Sequence, residues 1–153
     1  MKKLLRFPFM FLVVGVVAIS SGPAASGADT STLQTMAIDE LLRVLKSSQP
    51  KPLMFYVGPH TLYEQAHIPD SEFLGAASLP EGQQRLRSRV EYMKKKTAII
   101  LYCGCCPWSH CPNANPAYDT LKQLGFTNVK VLYIPNNFGV DWVDKGYPTA
   151  SGE

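Results

Sequence analysis

The amino-acid sequence predicts an α/β fold in which helices cover both faces of a central parallel sheet. Short runs of β-branched and aromatic residues alternate along the chain with segments of helical periodicity, and parallel strands require such helical connections between them. The most apolar of these runs lacks a polar face, as expected for a strand that is buried on both sides. The 153 residues suffice for one domain with a single hydrophobic core.

Residues 1–28 predict a secretory signal peptide rather than part of the fold. A basic start precedes an apolar run at 7–19, which is short for a membrane span, and small residues then lead to a cleavage site before Asp29. The shortness of this run disfavours the alternative of an uncleaved anchor. We therefore expect an exported protein, periplasmic or secreted, that contacts the membrane only through the signal segment before cleavage. Residues 29–35 are expected to form a short polar leader, and residues 36–150 the domain.

The net charge of the chain comes largely from this signal segment. The full sequence carries 15 basic and 12 acidic side chains, and cleavage would remove three of the basic ones. A formally neutral domain that lacks a basic and aromatic binding motif argues against a nucleic-acid partner.

The first half of the domain predicts a helix, a strand and a second helix. Apolar residues recur at helical spacing over 36–45, and Ser-Ser-Gln-Pro ends that helix. The apolar run 52–57 stops at Gly-Pro and predicts a buried strand. A short helical turn is expected at 62–66, and residues 81–95 predict an amphipathic helix with a charged outer face.

The second half predicts two further strands with a helix between them. Residues 97–103 form the strongest strand signal, a continuous β-branched and aromatic run. Asn115 as the N-cap and Pro116 at the first helical position predict the start of a helix, and Gly125 predicts its end. Residues 128–134 predict the last of these strands.

All four cysteines follow the strongest strand, and we expect them to form the functional site. They are Cys103, Cys105, Cys106 and Cys111. Disulfides stabilise a fold mainly by closing long loops, so bridges within these nine residues would stabilise little. Ligands of parallel sheets bind at the carboxyl ends of the strands, where Cys103 lies. A helix start after the loop would favour its thiolate, which is the nucleophilic form.

The remaining loop cysteines leave two interpretations open. Cys105, Cys106 and Cys111 could act as resolving thiols towards Cys103 or form a bridge that shapes the loop. Alternatively, the four thiols and His110 could bind zinc or Cu(I). Their spacing does not match the paired ligands typical of zinc sites, so no metal is favoured and no cofactor is expected. We expect the substrate pocket to include Gly104, Trp108, Ser109, His110, Asn136 and Asn137.

Four segments in the right order resemble the rhodanese-like family. They are "AHIPDS" (66–71), "IILYC" (99–103), "LKQLGFTNVKVL" (121–132) and "DWVDKGYP" (141–148). The resemblance implies a rhodanese-like fold and a persulfide-forming cysteine, here Cys103. It also implies transfer of sulfane sulfur from a donor such as thiosulfate to a thiol or to cyanide.

The sequence departs from this family at the residues that usually bind the anionic donor. Tyr56-Val57-Gly58 stands where rhodaneses usually carry an Asp-x-Arg pair, and no arginine follows Arg89. The cysteine loop is also several residues longer than usual. Phosphatases of the same fold depend on a loop arginine, so phosphatase activity is disfavoured.

These observations together predict an exported sulfurtransferase or persulfide carrier that uses Cys103. Its partners would be a small sulfur donor and a thiol acceptor, either a small molecule or a protein. One alternative is a thiol-disulfide or soft-metal module that uses the clustered cysteines. The other is an inactive rhodanese domain that binds proteins.

Overall fold

The computed structural model describes residues 33–152 of the chain. The predicted signal peptide at 1–28 and most of the predicted leader lie outside the described residues. Five strands are described: β1 (Thr35–Met36), β2 (Leu53–Tyr56), β3 (Glu72–Phe73), β4 (Ile99–Tyr102) and β5 (Val129–Leu132). The α-helices are α1 (Ile38–Lys46), α2 (His60–Gln65), α3 (Pro80–Val90) and α4 (Ala114–Gln123), and single turns of 3₁₀ and π-helix cover Trp108–His110 and Gly139–Val143.

The five strands form one parallel sheet in the order β1-β5-β4-β2-β3. This confirms the predicted α/β fold with a central parallel sheet. Strand β4 lies in the middle and pairs with β2 so that Tyr102 stands opposite Tyr56. The segments that follow β2, β4 and β5 therefore emerge together at one edge of the sheet, which we call the carboxyl edge.

Strand β4 is buried on both faces, which explains its continuous apolar sequence. Ile99 and Leu101 pack into the core that also contains Leu86 of α3 and Leu121 of α4. The alternate residues of β4 pack into a second core, together with Leu41 of α1. Helices thus cover both faces, and each face of the strand needs apolar side chains because successive residues point to opposite sides.

Two strands were not expected from the sequence, and they are the outermost strands of the sheet. Strands β1 and β3 have two residues each, which is too short for a periodicity signal. Met36, predicted to open the first helix, lies in β1, and α1 begins two residues later at Ile38. Among the described residues, no helix is both long and apolar enough to cross a membrane.

Helix α4 begins at Ala114, two residues before the predicted first helical residue, Pro116. Asn113 therefore stands at the N-cap position, and Pro116 lies inside the first turn. Proline is tolerated there because the N–H groups of a first turn have no partner within the helix. This shift gives Asn113, rather than Asn115, the position between the cysteine loop and the helix.

Candidate active site

Cys103 lies directly after β4, at the carboxyl edge of the sheet, as the sequence predicts. Only 4% of the residue is exposed. The ladder between β2 and β4 extends to this point, since the Val57 N–H donates to the Tyr102 carbonyl at 2.9 Å. Cys103 is therefore held by the centre of the sheet, and its sulfur faces the segment that follows β2.

The Cys103 sulfur and the Tyr56 hydroxyl pack closely against Gly58. A Cβ atom on Gly58 would lie 2.7 Å from Cys103 Sγ and 2.8 Å from Tyr56 Oη. Both distances are shorter than a nonbonded contact allows, so a side chain cannot be placed here without displacing one of these groups. The absence of a side chain at Gly58 thus allows the backbone after β2 to approach the thiol closely.

The Tyr56 hydroxyl is a buried donor that has no hydrogen-bond partner among the described residues. The residue is 1% exposed. Burial raises the pKa of Tyr56 above its usual range, and the Cys103 thiol raises it further, so the hydroxyl keeps its proton. Buried polar groups nearly always have a partner, and an unpartnered O–H beside a reactive sulfur is available to a bound substrate or intermediate.

Asn113 is the second polar side chain at Cys103. It is 2% exposed, and its Nδ2 donates to Cys103 Sγ at 3.4 Å while its Oδ1 accepts from the Ser78 N–H at 2.9 Å. The backbone contact fixes the amide orientation, so that the N–H₂ group faces the sulfur. The sequence did not reveal this residue, because Cys103 and Asn113 are ten residues apart and meet only when the loop folds back.

Three of the four thiols come together at this site. The Sγ atoms of Cys103, Cys105 and Cys111 all lie within 4.8 Å of one another, and all four cysteines are free. Cys106 Sγ lies 3.2 Å from Cys105 Sγ and contacts the His110 carbonyl at 3.5 Å. The loop therefore divides its thiols into a cluster of three, which could hold a soft metal ion, and one thiol at its rim.

A hydrogen bond couples the ionisation of Cys103 and Cys111. The bond from Cys103 lowers the pKa of Cys111 to about 6, with help from the Asn113 and Ala114 N–H groups and against partial burial. The same bond, together with burial, raises the pKa of Cys103, which the Cys105 N–H offsets only in part. The interaction thus favours the thiolate of Cys111 and the protonated thiol of Cys103.

This charge distribution differs from the sequence-based expectation. We expected the helix start to favour the thiolate of Cys103. The N–H groups at the start of α4 act instead on Cys111, because it stands two residues before Asn113 at the end of the loop. Cys103 contacts the start of the helix through Asn113.

A cleft of about 450 Å³ borders the thiol cluster. Two residues of the predicted pocket, Gly104 and Asn137, line it together with Tyr56, Cys105 and Phe138. Gly104 has a φ of 70°, and a Cβ there would lie 2.8 Å from the Cβ of Phe138. Glycine is thus required both by the backbone conformation and by the close packing of the cleft wall.

The other predicted pocket residues lie around the rim of the loop. Trp108 lines a small cavity beside Cys103 and Cys111 and packs edge-on against Tyr133, with ring centroids 5.1 Å apart. Ser109 and His110 are exposed and bond each other at 2.9 Å. Asn136 is exposed, and both its backbone and side-chain N–H groups donate to the Asp141 carboxylate.

The parallel sheet with a buried cysteine at the end of its central strand defines a rhodanese-like fold. The rhodanese-like domain of the Alr3790 protein from Anabaena sp. is similar to this chain, with a TM-score of 0.59 and 18% identity over 78% of this chain and 80% of that one. The BH2092 protein from Bacillus halodurans has a TM-score of 0.59 and 21% identity, covering 77% of each chain.

A thiosulfate sulfurtransferase from Pseudomonas aeruginosa is also similar in structure. Its TM-score is 0.58 and its identity 20%, over 80% of this chain but only 20% of that one. No protein-family model matches the sequence, and no curated protein matches it either. The chain thus has the rhodanese-like fold, at sequence identities that show the fold alone.

Proposed function

We propose that this protein is an exported sulfurtransferase or persulfide carrier that accepts sulfane sulfur on Cys103. The observation that supports this most is the buried Tyr56 hydroxyl, which has no partner among the described residues and packs against Gly58 together with Cys103 Sγ. The solved thiosulfate sulfurtransferase of the same fold is consistent with this chemistry.

In the first step, Cys103 attacks the sulfane sulfur of a donor such as thiosulfate. The Cys103 proton passes along its hydrogen bond to Cys111, and the Cys103 sulfur forms a new S–S bond with the outer sulfur of the donor. The S–S bond of the donor breaks, and sulfite leaves with the electron pair. Cys103 then carries a persulfide, whose outer sulfur is anionic.

The residues around Cys103 would stabilise this persulfide. The outer sulfur would accept a hydrogen bond from the Tyr56 hydroxyl, which has no other described partner. Asn113 Nδ2 already donates to the inner sulfur. Hydrogen bonds to a charged acceptor contribute about 1.5–3 kcal/mol each, so a neutral hydroxyl and amide can take over part of the role of the missing arginine.

In the second step, an acceptor thiolate attacks the outer sulfur. The S–S bond of the persulfide breaks, Cys103 leaves as a thiolate, and it recovers its proton from Cys111. The acceptor would reach the outer sulfur through the cleft lined by Gly104 and Asn137. This cleft has room for a small thiol or for the cysteine of a protein loop.

Mass spectrometry of the reduced mature protein after incubation with thiosulfate tests the assignment. We expect the mass to increase by one sulfur atom in the wild type and in the Cys106→Ser control, and to stay unchanged in Cys103→Ser. Cys106 is a suitable control because it lies in the same loop but outside the cluster of three sulfur atoms. Sulfur loading of Cys103→Ser at the wild-type level would contradict the proposal.

Export is the part of the proposal that depends on the sequence alone. It rests on the signal-like composition of residues 1–28. The N-terminal sequence of the protein recovered from a bacterial periplasm should begin at Asp29. Recovery of the uncleaved chain from the cytoplasm would contradict it.

A further inference from the structure

The proposed sulfur transfer uses Cys103 and Cys111 but gives no role to Cys105, the third thiol of the cluster. Cys103, Cys105 and Cys111 bring their Sγ atoms within 4.8 Å of one another. Within residues 33–152, it is the single group of three or more cysteine, histidine or acidic side chains close enough to share an ion. Every ligand atom in the group is a thiol sulfur, and no carboxylate or imidazole is among them.

A set of three thiolates selects for a soft metal ion. Thiolates favour Cu(I) over hard cations such as Mg²⁺ or Ca²⁺. Three sulfur atoms in a plane, each about 2.3 Å from a central ion, lie about 4 Å apart. The observed separations of up to 4.8 Å therefore reach this geometry with sulfur shifts of about 1 Å or less.

A fourth ligand for tetrahedral zinc is not part of this cluster. Cys106 Sγ lies 3.2 Å from Cys105 Sγ, contacts the His110 carbonyl and interacts with Cys111. It does not, however, belong to the group of sulfur atoms that all lie within 4.8 Å of one another. The His110 ring is exposed and bonded to the Ser109 hydroxyl. Structural zinc sites are almost always four-coordinate, so the three-sulfur geometry fits three-coordinate Cu(I) better than zinc.

The surroundings of the three sulfur atoms would protect a bound Cu(I) ion from solvent. Cys103 is buried, and Cys105 and Cys111 are half-buried. The indole of Trp108 lines the small cavity next to Cys103 and Cys111. Limited access by water and oxygen is what a reduced copper ion needs to persist.

We propose that Cys103, Cys105 and Cys111 form a three-thiolate site for Cu(I). Binding replaces the thiol protons with the metal ion, so protons are released and no electron is transferred. The ion and the persulfide would use the same Cys103 sulfur, so only one of them could be present at a time. Copper binding would make the domain a soft-metal carrier in addition to its proposed sulfur chemistry.

Titration of the reduced protein with Cu(I) under anaerobic conditions, in competition with a chromophoric Cu(I) chelator, tests this site. We expect one copper per chain and X-ray absorption that shows about three sulfur neighbours and no nitrogen or oxygen neighbour. The Cys105→Ser and Cys111→Ser variants should each lose more than about tenfold in Cu(I) affinity. Changing a residue that merely hydrogen-bonds a metal ligand already costs about tenfold or more, and these two variants each remove a ligand itself. The Cys106→Ser variant should keep wild-type affinity.

Three outcomes would overturn the proposal. They are failure of the wild type to compete for Cu(I), equal losses in Cys106→Ser and Cys111→Ser, and zinc binding that displaces Cu(I). Circular dichroism of each variant separates loss of a ligand from loss of the fold.

The copper result can be separated from the proposed sulfur transfer. The Tyr56→Phe variant removes a hydroxyl that faces the persulfide but supplies no metal ligand, so it should bind Cu(I) as the wild type does while loading sulfur more slowly. Metal-free wild-type protein that loads sulfur but does not bind Cu(I) would overturn the copper site alone. Protein that binds Cu(I) without loading sulfur would overturn the sulfurtransferase alone.

Discussion

Cys103 and Cys106 are three residues apart in one loop, yet they differ in burial and in their polar neighbours. Cys103 is 4% exposed, lies at the end of the central strand, and receives a hydrogen bond from Asn113. Cys106 is partly exposed at the rim and contacts Cys105 and a backbone carbonyl. The comparison teaches that burial and fixed polar neighbours, rather than membership of a cysteine-rich sequence, distinguish a site thiol from a loop thiol.

Of the substitutions that test the difference between these two thiols, Cys111→Ser should slow sulfur loading the most. Cys111 accepts the Cys103 hydrogen bond, and a serine hydroxyl is a far weaker proton acceptor than a thiolate. Loss of a general base costs about 100- to 10,000-fold in rate, so we expect sulfur loading at neutral pH to slow by at least about 100-fold. Rapid-quench mass spectrometry with thiosulfate measures this rate. A Cys106→Ser variant that slows as much would remove the distinction between the two thiols.

Gly58→Ala should slow loading by about 100-fold, since displacement of reacting groups by about 1 Å has effects of this size. The added Cβ would come within 3 Å of Cys103 Sγ and Tyr56 Oη. Overpacking should also lower the free energy of unfolding by about 1–3 kcal/mol.

Gly125→Ala is the matched control for this substitution. Gly125 has a φ of 84°, and a Cβ added there would meet nothing within 4 Å beyond its chain neighbours, so alanine there should cost stability through backbone strain but leave loading unchanged. Urea denaturation and the loading assay are run on both variants. Equal loading by Gly58→Ala and the wild type would show that the close packing of Gly58 against Cys103 and Tyr56 has no role in the reaction.

Tyr56→Phe should have the smallest effect of the three, about tenfold slower loading, as expected for one hydrogen bond to a charged sulfur. Because the Tyr56 hydroxyl has no described partner, its removal should not lower the free energy of unfolding. The variant should thus lose activity while keeping or gaining stability.

Tyr102→Phe provides the opposite case on the neighbouring strand. The Tyr102 hydroxyl bonds the Ile68 N–H at 3.1 Å and the Ser71 hydroxyl at 2.6 Å. Its loss should cost about 1–3 kcal/mol of unfolding free energy because buried partners are left unsatisfied, with little change in loading. If Tyr56→Phe instead lowered the free energy of unfolding without slowing sulfur loading, Tyr56 would be merely a core residue.

The sequence was sufficient for the central part of the fold because long periodic segments carry clear signals. The strands at 53–56, 99–102 and 129–132 lie within the predicted ones, and their apolar runs reflect burial on two faces. The edge strands β1 and β3 were missed because two residues carry no period. The start of α4 was misplaced by two residues because Asn113 and Asn115 are both acceptable helix caps.

The site was only partly predictable, for a physical reason. Cys103 follows from the strand that ends at Tyr102, which is a local signal. Tyr56 and Gly58 were noticed only as departures from a family pattern, because their contact with Cys103 depends on the pairing of β2 with β4. Contacts of this kind depend on which strands pair and in which register, and a single sequence does not reveal this.

The position of Trp108 gives the site an optical reporter of its own. The chain has two tryptophans, and Trp142 is fully buried in the core, where its indole N–H donates to the Pro148 carbonyl at 2.8 Å. Trp108 instead borders the cavity beside Cys103 and Cys111. Emission from Trp142 should therefore form a constant background, while quenching of Trp108 follows the arrival of sulfur or metal in real time and without a label.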